Sequence, residues 1–102
     1  MVIYKFGGAS VKDAASVRNA AEIIRNTPER LFLVVSAMGK TTNKLEEIVL
    51  AFFHRTGEAA KLLEELKTWH IQLAQELFHL DDDPVFAELE QLVGELYWCI
   101  EE

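Results

Sequence analysis

The chain has 102 residues, 50% of them hydrophobic, and a formal net charge of −7 at pH 7. This length predicts one domain with a modest core, and the acidic charge without any basic run argues against nucleic acid as a partner. No apolar run approaches the roughly 20 residues of a membrane span. A single cysteine and the lack of a signal-peptide pattern predict a cytoplasmic protein.

The first part of the chain alternates between apolar runs and one amphipathic stretch. Residues 2–6 are β-branched and aromatic, and residues 31–35 form a continuous apolar run, which is typical of a strand buried on both faces. Between them, small and aliphatic residues recur at helical spacing over residues 13–26, with Asp13 as the expected N-cap. The pattern predicts an α/β fold that starts with a parallel βαβ unit.

The rest of the chain is predicted to be helical. An apolar stripe over residues 45–53 predicts a helix that Thr41 or Thr42 would cap. The chain breaks near Gly57, and two longer apolar stripes follow on either side of Asp83, which is the expected N-cap of the last helix. These two stripes predict an antiparallel helical hairpin.

The other residues that could carry chemistry have a plain structural interpretation. Trp69, Trp98 and Cys99 are expected to pack within the hairpin. The three histidines have no metal-ligand spacing, and the acidic run 81–83 lacks the glycine and the distal glutamate of a calcium loop. The sequence therefore predicts no metal site formed by its own side chains.

A lysine interrupts the first strand one residue before the strand ends. Because lysine is rarely buried without a partner, Lys5 is expected to face a charged group at the carboxyl end of the strand. Gly7 and Gly8 follow, and they let a backbone approach a ligand, while the N–H groups of the next helix would meet an anion. These residues predict a phosphate-binding loop with its own cation.

A second small and polar loop, residues 36–43, follows the second strand. Because the carboxyl ends of parallel strands lie at one edge of a sheet, this loop and the Gly7-Gly8 pair are predicted to converge. Neither loop is a known nucleotide fingerprint. Valine stands at position 34, where a P-loop needs glycine, and G-x-G-x-x-G is absent.

Together the two loops resemble one family. Residues 5–11 read KFGGASV, which is similar to the K-F-G-G-[TS]-S-V signature of aspartate kinases, with Ala9 where threonine is common. Residues 36–43 read SAMGKTTN, which is similar to that family's S-A-x-x-x-x-T-[ND] motif. The resemblance implies the amino-acid kinase (carbamate-kinase-like) αβα fold. The first motif alone points only to that broader fold, and the second favours aspartate as the acceptor.

The resemblance implies transfer of the ATP γ-phosphoryl group to the β-carboxylate of L-aspartate, in lysine, threonine and methionine biosynthesis. Mg²⁺ is expected on the nucleotide. By position, Lys5 would be catalytic because it neutralises charge on the phosphoryl group. The implied ATP-binding residues are Lys5, Phe6, Gly7, Gly8 and Ser10. The implied aspartate-binding residues are Ser36 and Thr42.

The family's catalytic domain is longer than this chain, so the chain is expected to be an N-terminal fragment that is inactive alone. Residues 1–55 would form a βαβα core with the ligand loops, and residues 56–102 would form the helical hairpin. The open strand edges predict a homo-oligomer. Two alternatives stay open: a non-enzymatic helical interaction module, and an amino-acid kinase with another acceptor.

Overall fold

The computed structural model describes residues 1–79 and 83–101. Within these residues it contains two strands, one short 3₁₀ helix and four α-helices. The chain divides into two compact units, Met1–Lys40 and Thr41–Glu102. None of the helices in the described part of the chain combines the length and the apolar composition that a membrane crossing needs.

The first unit is built on two parallel strands. β1 (Val2–Phe6) pairs in parallel with β2 (Leu31–Val35), and α1 (Ala14–Arg25) lies between them in the sequence. The Asp13 carboxylate accepts a hydrogen bond from the backbone N–H of Ser16 at 2.8 Å, so α1 begins where the sequence predicts. The predicted mixture of helix and parallel strand is confirmed.

β1 is covered on one face only, and β2 is exposed on both faces. Phe6 packs with Val11 and Ala20 in a small buried cluster. On the opposite face Ile3 is 66% exposed and Phe32 is 56% exposed. The prediction that the second strand is buried on both faces is therefore wrong for this chain. An apolar run indicates a strand with two apolar faces. It does not indicate whether other elements of the same chain pack against those faces.

The second unit consists of three helices. They are α2 (Thr41–Phe53), α3 (Ala59–Leu77) and α4 (Pro84–Ile100), and α3 contacts both of the others. Asp83 caps α4 as predicted, because its carboxylate accepts a hydrogen bond from a backbone N–H of the first turn at 3.0 Å. Residues 81–82 of the predicted helix junction lie outside the described residues.

Leu63 of α3 is the centre of the core of the second unit. Its exposed fraction is 0%, and Ile48 of α2, Leu66 of α3 and Val93 of α4 surround it. All three helices thus contribute to one apolar cluster. Helical periodicity on each element produces this cluster, because residues three and four apart share one face.

Polar contacts show that α3 and α4 run antiparallel. The Tyr97 hydroxyl donates a hydrogen bond to the Glu64 carboxylate, and Lys67 forms an ion pair with Glu90 at 3.2 Å. The earlier residue of α3 contacts the later residue of α4, which requires opposite chain directions. These contacts lie at the edge of the apolar cluster and connect the two helices.

Two residues predicted to pack in the hairpin are on the surface. Trp98 is 67% exposed, and Cys99 is also exposed, so both predictions are wrong. Trp69 is half-buried and contacts the ring of His70 edge-on, with 4.9 Å between the ring centroids. The stripe of α4 is wider than the surface that α3 can cover, and Trp98 and Cys99 lie on its uncovered part.

Candidate functional site

The two motif loops meet at the carboxyl edge of the sheet. Ser36 is the first residue after β2, and its backbone N–H donates to the carbonyl of Phe6, the last residue of β1, at 2.9 Å. This hydrogen bond extends the parallel ladder by one step and brings Ser36 next to Gly7. The structure therefore places the start of the second loop beside the first.

Gly7 and Gly8 lead into the short 3₁₀ helix Gly8–Val11. Gly7 is extended, with φ −76° and ψ −178°, and neither glycine has a positive φ. A Cβ built at either position would have no heavy atom within 4 Å. Neither the backbone dihedrals nor the packing of the described residues requires glycine here. The space beside this backbone is open, so another group could approach it closely.

Lys5 lies on the open face of the sheet. Side chains alternate along β1, so Tyr4 and Phe6 face the covered side while Lys5 and Ile3 face the other. Lys5 is exposed, and no carboxylate among the described residues pairs with its ammonium group. The charged group that the sequence predicts opposite Lys5 is therefore not a described side chain of this protein. The ammonium is available to an anion.

Phe6 and Ser10 differ in what they present at this edge. The Phe6 ring is buried in the small cluster and contacts the Tyr4 ring edge-on, with 6.1 Å between centroids. Only the backbone of Phe6 is thus available at the strand end. Ser10 is exposed within the 3₁₀ helix, and its backbone N–H donates to the Gly7 carbonyl at 3.0 Å. The ring of Phe6 anchors the loop, and Ser10 leaves its hydroxyl on the surface.

Thr42 belongs to the second unit. α2 begins at Thr41, so both threonines lie in its first turn, and that one of them caps the helix stays a prediction. The Thr42 side chain is exposed. The Thr41 hydroxyl lies 3.3 Å from Nε2 of His70, and Nδ1 of that ring lies 2.9 Å from the Leu66 carbonyl. Because a carbonyl only accepts, Nδ1 donates, and in the neutral ring Nε2 accepts from Thr41.

Lys44 adds a second polar contact between α2 and α3. Its ammonium lies 3.0 Å from the Glu65 carboxylate and 3.6 Å from that of Glu47. The hydrogen bond between Lys44 and Glu65 raises the pKa of the lysine and lowers the pKa of the glutamate. Sequence reasoning missed this pair and the Thr41–His70 pair. Both depend on the register of α2 against α3, which helical periodicity does not determine.

Comparison with known proteins gives one family. The model of the amino acid kinase family matches residues 1–98. "Aspartokinase 2, chloroplastic" of Arabidopsis thaliana is 40% identical over 79 residues, which are 74% of this chain and 14% of that protein. "Aspartokinase 1, chloroplastic" of the same plant is 36% identical over 95 residues, 88% of this chain and 16% of that protein. The "Aspartokinase" of Corynebacterium glutamicum is 30% identical over 97 residues, 92% of this chain and 23% of that protein.

The chain thus spans less than a quarter of the length of each of these relatives. The family match nevertheless covers nearly all of the chain, including both motif loops, α1, α2 and α3, and most of α4. The resemblance that residues 5–11 and 36–43 carry is therefore confirmed. The chain belongs to the amino acid kinase family.

Proposed function

We propose that this chain supplies part of the active site of an aspartate kinase, which transfers the γ-phosphoryl group of ATP to the β-carboxylate of L-aspartate. The observation that carries this proposal is the hydrogen bond from Ser36 to Phe6, because it joins the two motif loops at one edge of the sheet. The exposed Lys5 stands one residue before that point. The similarity to proteins named aspartokinases supports aspartate as the acceptor.

Lys5 and the glycines would act on the phosphoryl group. Phosphoryl transfer depends mainly on positioning and on cations and donors around the equatorial oxygens. The ammonium of Lys5 has no carboxylate partner among the described residues, so it would neutralise charge that develops on the transferred group. Backbone N–H groups at Gly7 and Gly8 would hold phosphate oxygens, and the Ser10 hydroxyl would donate to another.

Ser36 and Thr42 would bind the acceptor. Each has an exposed side chain with a hydroxyl that can donate to a carboxylate of aspartate. An amino-acid kinase with another acceptor is the second candidate within the family. It would keep the roles of Lys5, Gly7 and Gly8 and differ only on the acceptor side.

The described residues do not supply a ligand set for Mg²⁺. They contain no group of three or more His, Cys, Asp or Glu side chains that could hold a metal ion. In the proposed reaction Mg²⁺ would arrive with the nucleotide, where it shields charge on the phosphates. The role assigned to this chain is carried by its ammonium, hydroxyl and backbone N–H groups.

We also propose how the elements fit the family fold. β1, α1 and β2 would form the parallel βαβ start of the αβα catalytic domain, and α3 and α4 its helical hairpin. The division into residues 1–55 and 56–102 stays a prediction, as does the cytoplasmic location, since two of the relatives are named chloroplastic. Amino-acid biosynthesis is the process that the relatives' activity would serve.

Nucleotide binding by the 102-residue chain tests the proposed site. ATP is titrated into the protein while the backbone amide signals are followed by NMR, and we expect those of Gly7, Gly8 and Ser36 to shift most. Lys5→Met should weaken ATP binding by about tenfold or more, since it removes the cation at the loop. Lys61→Met is the matched control, because Lys61 is an exposed lysine of the second unit and its loss should leave the affinity unchanged.

Two results would contradict the proposal. One is a set of ATP-induced shifts that avoids both motif loops, and the other is equal weakening by Lys5→Met and Lys61→Met. The non-enzymatic interaction module predicts no response of the loops to ATP. A coupled assay of ADP formation with ATP and aspartate should give background for the chain alone, and turnover would contradict the prediction that it is inactive alone.

The open sheet supports the proposal of a homo-oligomer. Two strands present unpaired edges, and the exposed Ile3 and Phe32 make one face apolar, which favours pairing with another chain. Light scattering over a range of protein concentrations should show a mass above that of the monomer. A monomeric mass at the highest concentration would contradict this proposal and leave the kinase proposal untouched.

A further inference from the structure

An apolar groove runs between α2 and α4. Leu63 of α3 contributes to its floor, Val49 and Phe52 of α2 line one wall, and Leu96 and Cys99 of α4 line the other. The groove has a volume of about 200 Å³. Small-molecule pockets usually measure about 300–1,000 Å³. The groove therefore suits a few inserted side chains better than a whole metabolite.

The walls of the groove continue as exposed apolar stripes along both helices. Leu92 lies one turn before Leu96 on α4 and is 58% exposed, and Val49 on α2 is 63% exposed. An amphipathic helix binds such a surface by inserting apolar residues spaced at i, i+3, i+4 and i+7. The exposed apolar residues of α2 and α4 beside the groove offer a surface for that mode of binding.

The rim of the groove is acidic. Glu46 precedes the wall residue Val49 by three residues on α2, and Glu95 precedes the wall residue Cys99 by four on α4. Glu88 precedes Leu92 by four, so it lies one turn further along the same side of α4. All three glutamates are exposed, and none has an ion-pair partner among the described residues. Within the part of the chain that the structure describes, these carboxylates are not neutralised by a cation.

Basic side chains are scarce on both flanking helices. α4 contains no lysine or arginine, and the one lysine of α2, Lys44, is held by Glu65. Residues 41–102 contain four Lys or Arg against fourteen Asp or Glu, a net charge of −10. Residues 1–40 contain six against three, a net charge of +3. The acidic charge of the protein is thus concentrated in the unit that carries the groove.

We propose that this groove binds a basic amphipathic helix of a partner protein. The apolar walls would take its leucine-like side chains, and the three rim glutamates would pair with lysines or arginines on either side of its apolar stripe. A second copy that docked through the same groove would bring two acidic rims together, which like-charge repulsion disfavours. The inference does not depend on the kinase activity, since none of the motif residues lines the groove.

Two labelled model peptides test the proposal on the full chain. Each has about 18 residues, or five helical turns, with leucine at i, i+3, i+4 and i+7. Lysine fills the flanking positions of one peptide, and glutamate fills them in the other. Fluorescence anisotropy should show that the basic peptide binds at least about tenfold more tightly than the acidic one. The difference should shrink as the salt concentration rises, because salt screens exposed charges.

Variants of matched chemistry locate the binding. Leu96→Glu places a charge in the wall of the groove and should weaken binding of the basic peptide by about tenfold or more. Leu50→Glu is its control, because Leu50 is an exposed leucine of α2 that does not line the groove. Replacing Glu88 and Glu95 by lysine should weaken binding of the basic peptide and strengthen binding of the acidic peptide. Replacing Glu29 and Glu58 by lysine is the control and should change neither affinity.

Cys99 gives a readout that needs no substitution. It is the one cysteine of the chain, it is free and exposed, and it lines the groove. Saturating basic peptide should slow its alkylation by a maleimide several-fold, and the acidic peptide at the same concentration should not. Equal binding of the two peptides, or unchanged alkylation at saturation, would overturn the proposal. Self-association that Leu96→Glu abolishes would also overturn it, because the occupant would then be a second copy.

Discussion

The two units of this protein differ in the size of their buried cores and in the exposure of the residues that matter most in each. The first unit holds both glycines of the motif and the exposed Lys5, and its buried cluster is small, with Phe6 at the strand end. The second unit places Leu63 at the centre of three helices and excludes water from it completely. A binding site at a sheet edge needs backbone groups that a ligand can reach, whereas a three-helix core needs side chains that are shielded from water.

The surroundings of Lys5 differ from the polar contacts that join the helices of the second unit. In the second unit Lys44 pairs with Glu65, and the Tyr97 hydroxyl donates to Glu64, so α2 and α4 are each joined to α3 by side chains. In the first unit Lys5 has no such partner among the described residues. A cation that is already paired cannot serve an incoming phosphate without giving up its partner. The unpaired Lys5 therefore suits the proposed phosphate-binding loop, and the paired side chains suit a packed helical bundle.

Removing the centre of the helical core should have the largest effect on stability. Leu63→Ala deletes a side chain with no exposed surface, so it should lower the free energy of unfolding of the second unit by about 2–5 kcal/mol. Denaturant unfolding followed by tryptophan fluorescence measures this, because Trp69 and Trp98, the two tryptophans of the chain, both belong to the second unit.

Leu92→Ala is the matched control for that experiment. Leu92 is 58% exposed on α4, so the same chemical change should alter stability by no more than about 0.5 kcal/mol. Equal effects of Leu63→Ala and Leu92→Ala would show that the helices do not share one core. The contrast between the closed core of the second unit and the open sheet of the first unit would then be lost.

Much of the fold could be predicted because its signals are local. Asp13 and Asp83 accept the hydrogen bonds expected of N-caps, and both helices begin directly after them. The apolar run 31–35 forms a strand as predicted. Its exposure was not predicted, because an apolar run does not indicate which other elements cover the strand. The prediction that Trp98 is buried is wrong for the same reason. The apolar stripe of α4 is wider than the surface that α3 covers, so Trp98 stays exposed.

The site could be predicted only in part, for a related reason. The convergence of the two loops follows from parallel strand order, and the hydrogen bond from Ser36 to Phe6 shows it. Thr42 lies in the second unit, and its role depends on more than strand order. The contact between Thr41 and His70 joins residues 29 positions apart and has no signal in the sequence. Local sequence patterns predict the helices, the strands and the edge of the sheet where loops meet. They do not predict contacts between helices, because those depend on the register of one helix against another.

Tyr97 offers a smaller and pH-dependent test of the polar contacts in the second unit. Its hydroxyl donates to the Glu64 carboxylate, and this hydrogen bond, with partial burial and the nearby negative charge, raises the pKa of Tyr97 to about 12. An unfolded chain would have a tyrosine pKa of about 10. Because the folded pKa is the higher one, the contact stabilises fully below pH ~10 and is lost as the pH rises towards ~12.

Tyr97→Phe removes the donor and keeps the ring. Since the hydrogen bond is partly open to solvent, the variant should lose only about 1 kcal/mol of stability at neutral pH. Its unfolding free energy should also fall less steeply than that of the parent protein above pH ~10, because the group that loses its proton there is gone. Titration of tyrosinate absorbance in the parent and in Tyr4→Phe, which retains Tyr97, would identify the high pKa directly. Ionisation of Tyr97 at an ordinary pKa would show that its hydrogen bond to Glu64 does not help to hold α3 against α4.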